Sequence, residues 1–204
     1  MGPGATFSTV TFLRGVLLLL GWIYATTANP RSGAMLRTSL VTFVVPMLFA
    51  PVGLLLKLPL GAFLLVAWEE GLKAFASTRE RDRFNKFWLV ALFGVWELTV
   101  DKPWYGFIGV WAGEDWDRLS LAGLVYATAL PVLMHTVTAA IYAFAFERRL
   151  WAAVAASWTV HAAFNELVDY FQSPIAVIIE TLVLAVLLVA ILQRRPKAPV
   201  TESV

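Results

Sequence analysis

Glu69, Glu70 and Lys73 lie inside an otherwise apolar run, Leu58 to Ala76. Charges in such surroundings are costly; at the centre of a membrane span one charged side chain costs about 2.5–3.5 kcal/mol or more. Residues held there against that cost normally face a protein interior or a wet cavity and do chemistry. The spacing narrows what chemistry that is. On a helix Lys73 lies one turn from both Glu69 (i, i+4) and Glu70 (i, i+3), so it can pair with either. The two adjacent carboxylates point about 100° apart. One of them can therefore face a cavity while the other takes the lysine.

Further polar residues interrupt the later apolar runs. Glu97 closes Phe93-Gly94-Val95-Trp96-Glu97, and His135 follows Pro131 by four residues. Ser157, His161, Asn165 and Asp169 recur every four positions, which places them on one stripe of a helix. Glu180 stands alone in the last apolar run. At a rise of about 1.5 Å per residue, Glu69, Glu97, His135 and His161 fall at about 12–16 Å from one common side of their helices. Four independent structural residues need not share a layer. Two carboxylates and two imidazoles in one layer suit water activation and proton transfer. The plainer alternative is interhelical hydrogen bonding, in which a lone His or Asn joins two helices. Glu180 reads as such a joining residue or as part of a proton path, and Glu166 and Asp169 fall near the outer interface.

The elements that must position these residues read as helices. Of the 204 residues, 59% are hydrophobic and 15% are charged, with a mean hydropathy of +0.73. Average soluble domains carry roughly 25% charged residues. The expected fold is therefore all-α: a polytopic membrane bundle of seven spans forming a single integral membrane domain over residues 1–204. The spans are Phe7–Ala28, Ala34–Leu56, Leu58–Ala76, Phe87–Val100, Leu119–Phe146, Leu150–Phe171 and Pro174–Leu192, followed by a short polar tail, 193–204. Lys and Arg set the orientation. Eleven of them (Arg31, Arg37, Arg79, Arg81, Arg83, Lys86, Arg148, Arg149, Arg194, Arg195 and Lys197) fall on one side of this arrangement. Arg14, Lys57, Lys102 and Arg118 fall on the other. The expected location is a prokaryotic cytoplasmic membrane, with the N-terminus outside and the C-terminus in the cytoplasm. The first span is read as retained, although Arg14 and the apolar residues after it resemble a signal peptide. The aromatic connection Asp101 to Ser120 reads as an interfacial segment or a cover over a site. With no cysteine in the chain, disulfides and thiol catalysis are excluded. The net charge of +2 offers no basis for nucleic-acid binding.

In chain order these residues form a pattern. Glu69-Glu70-Gly71-Leu72-Lys73 reads as EExxK, Phe93 to Glu97 as FxxxE, and His161 to Asn165 as HxxxN, with His135 between the last two. The set, spread over about Leu58 to Asp169, resembles the PrsW-type glutamic intramembrane proteases. These belong to the superfamily of CAAX prenyl endopeptidases and bacteriocin-processing proteins. The CAAX branch usually has EExxxR and FxxxH; here position 74 is Ala and position 97 is Glu. The resemblance implies an endopeptidase that cuts a membrane-embedded protein, such as an anti-sigma factor, in contact with the lipid bilayer. Its implied catalytic residues are Glu69, Glu70, Glu97, His135, His161 and Asn165, supported by Lys73. Glu69 would activate water, Glu97 would share a proton, and His161 and Asn165 would donate to the oxyanion. Lys73 would fix the charge of Glu70, and His135 would orient water or a carboxylate. No cofactor is required, although two His and two Glu also suit zinc. A non-catalytic scaffold of the same fold and a proton-coupled transporter remain as other classes.

Overall fold

The computed structural model describes residues 30–46, 60–97, 121–170 and 174–193. They form six α-helices: α1 (Pro30–Ser39), α2 (Gly61–Thr78), α3 (Arg83–Trp96), α4 (Leu121–Ala140), α5 (Leu150–Tyr170) and α6 (Pro174–Gln193). Two π-helical turns extend them, Leu40–Val44 after α1 and Ile141–Ala145 after α4. Among the described residues there is no strand, and the all-helical expectation stands in that form.

The membrane expectation does not stand. Among the described residues no helix is long and apolar enough to cross a membrane. The seven-span polytopic bundle, the integral-membrane location and the inside–outside orientation built on it are therefore withdrawn. Part of the reason is length. A span needs about 20 apolar residues to cover about 30 Å of hydrocarbon. α1 has 10 residues and α3 has 14, which at 1.5 Å per residue is roughly 15 and 21 Å. Part is charge, since Glu69, Glu70 and Lys73 all fall within the 18 residues of α2. A long apolar run read from sequence does not distinguish a span from a helix buried in protein. The first expected span, residues 47–56 of the second, the Asp101–Ser120 connection and the C-terminal tail from residue 194 on lie outside the described residues.

Local chemistry sets the α2–α3 corner. Asp82 caps α3: its Oδ1 accepts from the backbone N–H groups of Phe84 (3.0 Å) and Asn85 (2.9 Å). Such a cap is worth about 1 kcal/mol. Glu80 in turn accepts from the Asp82 N–H at 3.0 Å. The short connection makes α2 and α3 packed neighbours. α3 also packs on α4, α4 on α6, and α2 on α5. One apolar cluster gathers Val90, Leu130, Met134, Val137, Ile141, Tyr142 and Leu184. A second gathers Phe43, Ala76, Leu89, Leu92, Phe93 and Trp96. Phe43 meets Phe93 edge-on at 5.1 Å. The Trp96 indole donates to Ser39 Oγ at 3.0 Å, tying α1 to α3. Burying a Phe or Leu side chain stabilises by about 1.5–3 kcal/mol. These contacts hold α2, α3, α4 and α5 in the register that the polar residues need.

Candidate active site

Glu70 is the centre of the polar cluster and is fully buried. Lys73, one turn on and equally buried, donates to its Oε1 at 2.5 Å. From α5, His161 Nδ1 meets the same oxygen at 3.0 Å, and the Ser157 hydroxyl donates to Oε2 at 2.5 Å. From the π turn after α4, the Tyr142 hydroxyl lies 3.1 Å from the Glu70 carbonyl oxygen and 3.3 Å from Oε2. One carboxylate thus collects donors from α2, α5 and the π turn. Burial pushes its carboxyl up, but the Lys73 ammonium and the His161 ring outweigh that and hold it below the usual carboxylate range. The same burial, with the Glu70 charge, pushes the Tyr142 phenol up, so it remains a hydrogen-bond donor. The ammonium also lies over the Phe93 ring, 4.7 Å from its centroid.

Glu69, its neighbour, is placed differently. Its side chain is 18% exposed, and its Oε2 lies 3.5 Å from His161 Nε2. His161 therefore stands between the two carboxylates, with Nδ1 on Glu70 and Nε2 toward Glu69. An ionised carboxylate only accepts, so the ring hydrogen sits on Nδ1. In the neutral ring Nε2 then presents a lone pair. A second pair lies alongside: His135 Nε2 contacts Glu97 Oε2. With Glu97 ionised, the His135 hydrogen sits on Nε2, the opposite tautomer. The two imidazoles meet edge to face, centroids 5.2 Å apart.

The structure thus brings Glu69, Glu70, Lys73, Glu97, His135 and His161 together. Asn165 is half-buried one turn beyond His161 and makes no side-chain hydrogen bond to the cluster among the described residues. Glu180 is buried on α6, and among the described residues neither carboxylate oxygen has a hydrogen-bond partner. No family model, curated protein or solved structure matches the chain. The PrsW-like resemblance therefore rests on the motif residues alone.

Sequence reasoning missed two of the residues that hold Glu70. Ser157 was visible only as a member of the α5 stripe. Tyr142 gave no signal, because a π turn adds a residue and shifts every later side chain off the 3.6-residue period.

The histidines carry a pH prediction. Burial and then the Lys73 ammonium push His135 down to about 3, and the same causes push His161 down. Both stay neutral in the fold at a pH where unfolded imidazoles, with a pKa of about 6.5, are charged. Between about pH 6.5 and the folded value the unfolded chain binds more protons, so stability falls as pH falls. For His135 the slope approaches about 1.4 kcal/mol per pH unit, and His161 adds to it in the same direction. Glu70 acts in a separate window. Its carboxylate contribution is present above the unfolded value of about 4.3 and is lost only further into acid. Thermal melts between pH 7 and 5.5 should therefore show a fall in Tm that becomes shallower in His135→Asn. Equal pH dependence in the two proteins would contradict the neutral buried imidazole.

Proposed function

We propose that this chain is a peptidase that hydrolyses a peptide bond with water activated at Glu69, in the manner of the PrsW-like glutamic proteases. The observation that supports this is the unlike setting of two adjacent carboxylates. Glu70 is enclosed and occupied by Lys73, Ser157, Tyr142 and His161. It cannot turn to a substrate without abandoning these donors, so its task is to hold His161 and stay ionised. Glu69 is partly open and faces His161 Nε2.

In this scheme Glu69 accepts a proton from water as the water oxygen bonds to the substrate carbonyl carbon. His161 Nε2 takes up that proton, and the resulting imidazolium is stabilised by Glu70 at Nδ1. The imidazolium and the Asn165 amide donate to the oxyanion. The C–N bond then breaks, and the leaving nitrogen takes the proton from His161. The Glu97–His135 pair lines the other side and limits how far His161 can swing. The test is mass-spectrometric profiling of a peptide library incubated with purified protein. New termini made by the wild type and absent with His161→Ala support the scheme; a wild type that makes none contradicts it.

A second reading is favoured by one observation. Glu69, His135 and His161 each offer a ligand atom, and these atoms lie within 4.8 Å of one another. Two imidazoles and a carboxylate suit zinc. Each imidazole has its other side on a carboxylate, the outer arrangement common among metal-ligating histidines. His135 Nδ1 is buried and has no hydrogen-bond partner among the described residues. Such an ion would lower the pKa of bound water and polarise the carbonyl. Under the glutamate-only scheme, cleavage should survive EDTA and phenanthroline unchanged. Loss of cleavage that zinc restores would make Glu69, His135 and His161 ligands.

A further inference from the structure

We infer that Gly94 is a positioning residue, whose missing side chain seats the His135 ring against Glu97; its part in catalysis rests on the water-activation reading above. A Cβ built on Gly94 would lie 2.8 Å from His135 Cβ, 3.0 Å from Cδ2 and 3.1 Å from Cγ. Real Cβ atoms essentially never come within 3.0 Å of a neighbour. None of these three atoms is the loose end of a flexible chain. The ring is also confined elsewhere. Phe93 lies 5.0 Å away between centroids, His161 lies edge-on at 5.2 Å, and Nε2 rests on Glu97. A methyl group at position 94 therefore pushes a ring that has no free direction.

Gly94 and Glu97 lie three residues apart on one helix face. That face offers the imidazole a flat seat and, one turn on, an acceptor. Glycine is the poorest helix former after proline, so one inside α3 calls for a reason, and this close approach supplies it. Gly71 provides the comparison. It is also helical, in α2, but a Cβ there would meet nothing within 4 Å.

The chain has only two histidines, so protein labelled with ¹⁵N-histidine gives two ring systems. The wild type should show opposite tautomers, with the hydrogen on Nε2 of His135 and on Nδ1 of His161. Gly94→Ala should shift the His135 ring nitrogens and leave those of His161 in place. Gly71→Ala should leave both unchanged and raise Tm. Where peptide cleavage is measured, Gly94→Ala should lower kcat by roughly tenfold, less than the about 10²-fold or more lost with an acid–base group itself, because His135 acts by confining His161. A folded Gly94→Ala with wild-type His135 shifts overturns the inference. If Gly94→Ala does not fold, the double variant Gly94→Ala/His135→Gly, which removes all three obstructed atoms, should fold again. A double variant that stays unfolded also overturns it. The ring spectra need no substrate. A wild type with the expected tautomers but no peptidase activity therefore counts against the proposed function and leaves the seating of His135 intact.

Discussion

Glu69→Gln is expected to cost at least about 10²-fold in peptide-bond hydrolysis, the lower end of what a general base contributes, while the protein melts close to wild type. Gln keeps the length, shape and hydrogen-bonding capacity of Glu and removes only the ability to accept the proton. The side chain is 18% exposed, so its replacement leaves no fully buried charge without its partner. The contacts that hold Glu70 come from Lys73, Ser157, Tyr142 and His161, and none of them passes through the Glu69 carboxylate. The fold should therefore not register the change. Removing a half-buried carboxylate can even stabilise slightly. A purely structural polar cluster predicts the opposite pattern, with a modest loss of rate that tracks a loss of Tm. Cleavage and melting must be measured on the same preparation. A well-folded Glu69→Gln that cuts at the wild-type rate would remove Glu69 as the base.

How far the site was legible in the sequence differs from residue to residue. The EExxK spacing shows that Lys73 reaches either glutamate, but not which one. That choice is made by Ser157 and Tyr142, whose donors arrive 87 and 72 positions away in the chain. No local pattern carries this information. The four-residue stripe on α5 did place Ser157, His161 and Asn165 on one side of a helix, because helical periodicity is a local property. Tyr142 was hidden by the π turn. The roles of the histidine nitrogens were also hidden, since they depend on which carboxylate each ring edge meets. The expectation that His161 donates to an oxyanion left its protonation state open: in the neutral ring the one hydrogen goes to Glu70, so Nε2 must first gain a proton. The helices were legible from apolar runs, but their setting was not. An apolar run of 14 to 20 residues satisfies a protein core as well as a bilayer, and among the described residues no helix is long and apolar enough to cross a membrane; length accounts for this in α1 and α3, and internal charge in α2. Gly94 was on view in the FxxxE segment, yet only the distance to His135 gives it meaning.

Lys73→Met is expected to destabilise the protein by about 3–5 kcal/mol, the range for removing one partner of a buried ion pair. Lys73 and Glu70 are both fully buried, and the ammonium lies 2.5 Å from the carboxylate. Met matches the aliphatic stem, so lost packing is a minor part of the effect. What remains is a buried carboxylate that keeps only the Ser157, Tyr142 and His161 donors. It must then either stay charged at a high desolvation cost or take up a proton and give up its hold on His161. The ammonium also loses its place over the Phe93 ring, an interaction worth up to about 2 kcal/mol when desolvated. At roughly 2–4 °C per kcal/mol for a chain of this size, the loss corresponds to a fall in Tm of about 6–20 °C. The double variant Glu70→Gln/Lys73→Met tests the cause. Replacing a buried pair by neutral groups is often far less costly than breaking it, so the double should recover much of the lost stability although it carries more changes. Its activity should not recover, because an uncharged residue 70 no longer stabilises the His161 imidazolium. A Lys73→Met loss below about 1 kcal/mol, the size of an exposed ion pair, or a double variant no better than the single, would show that Glu70 does not depend on this ammonium.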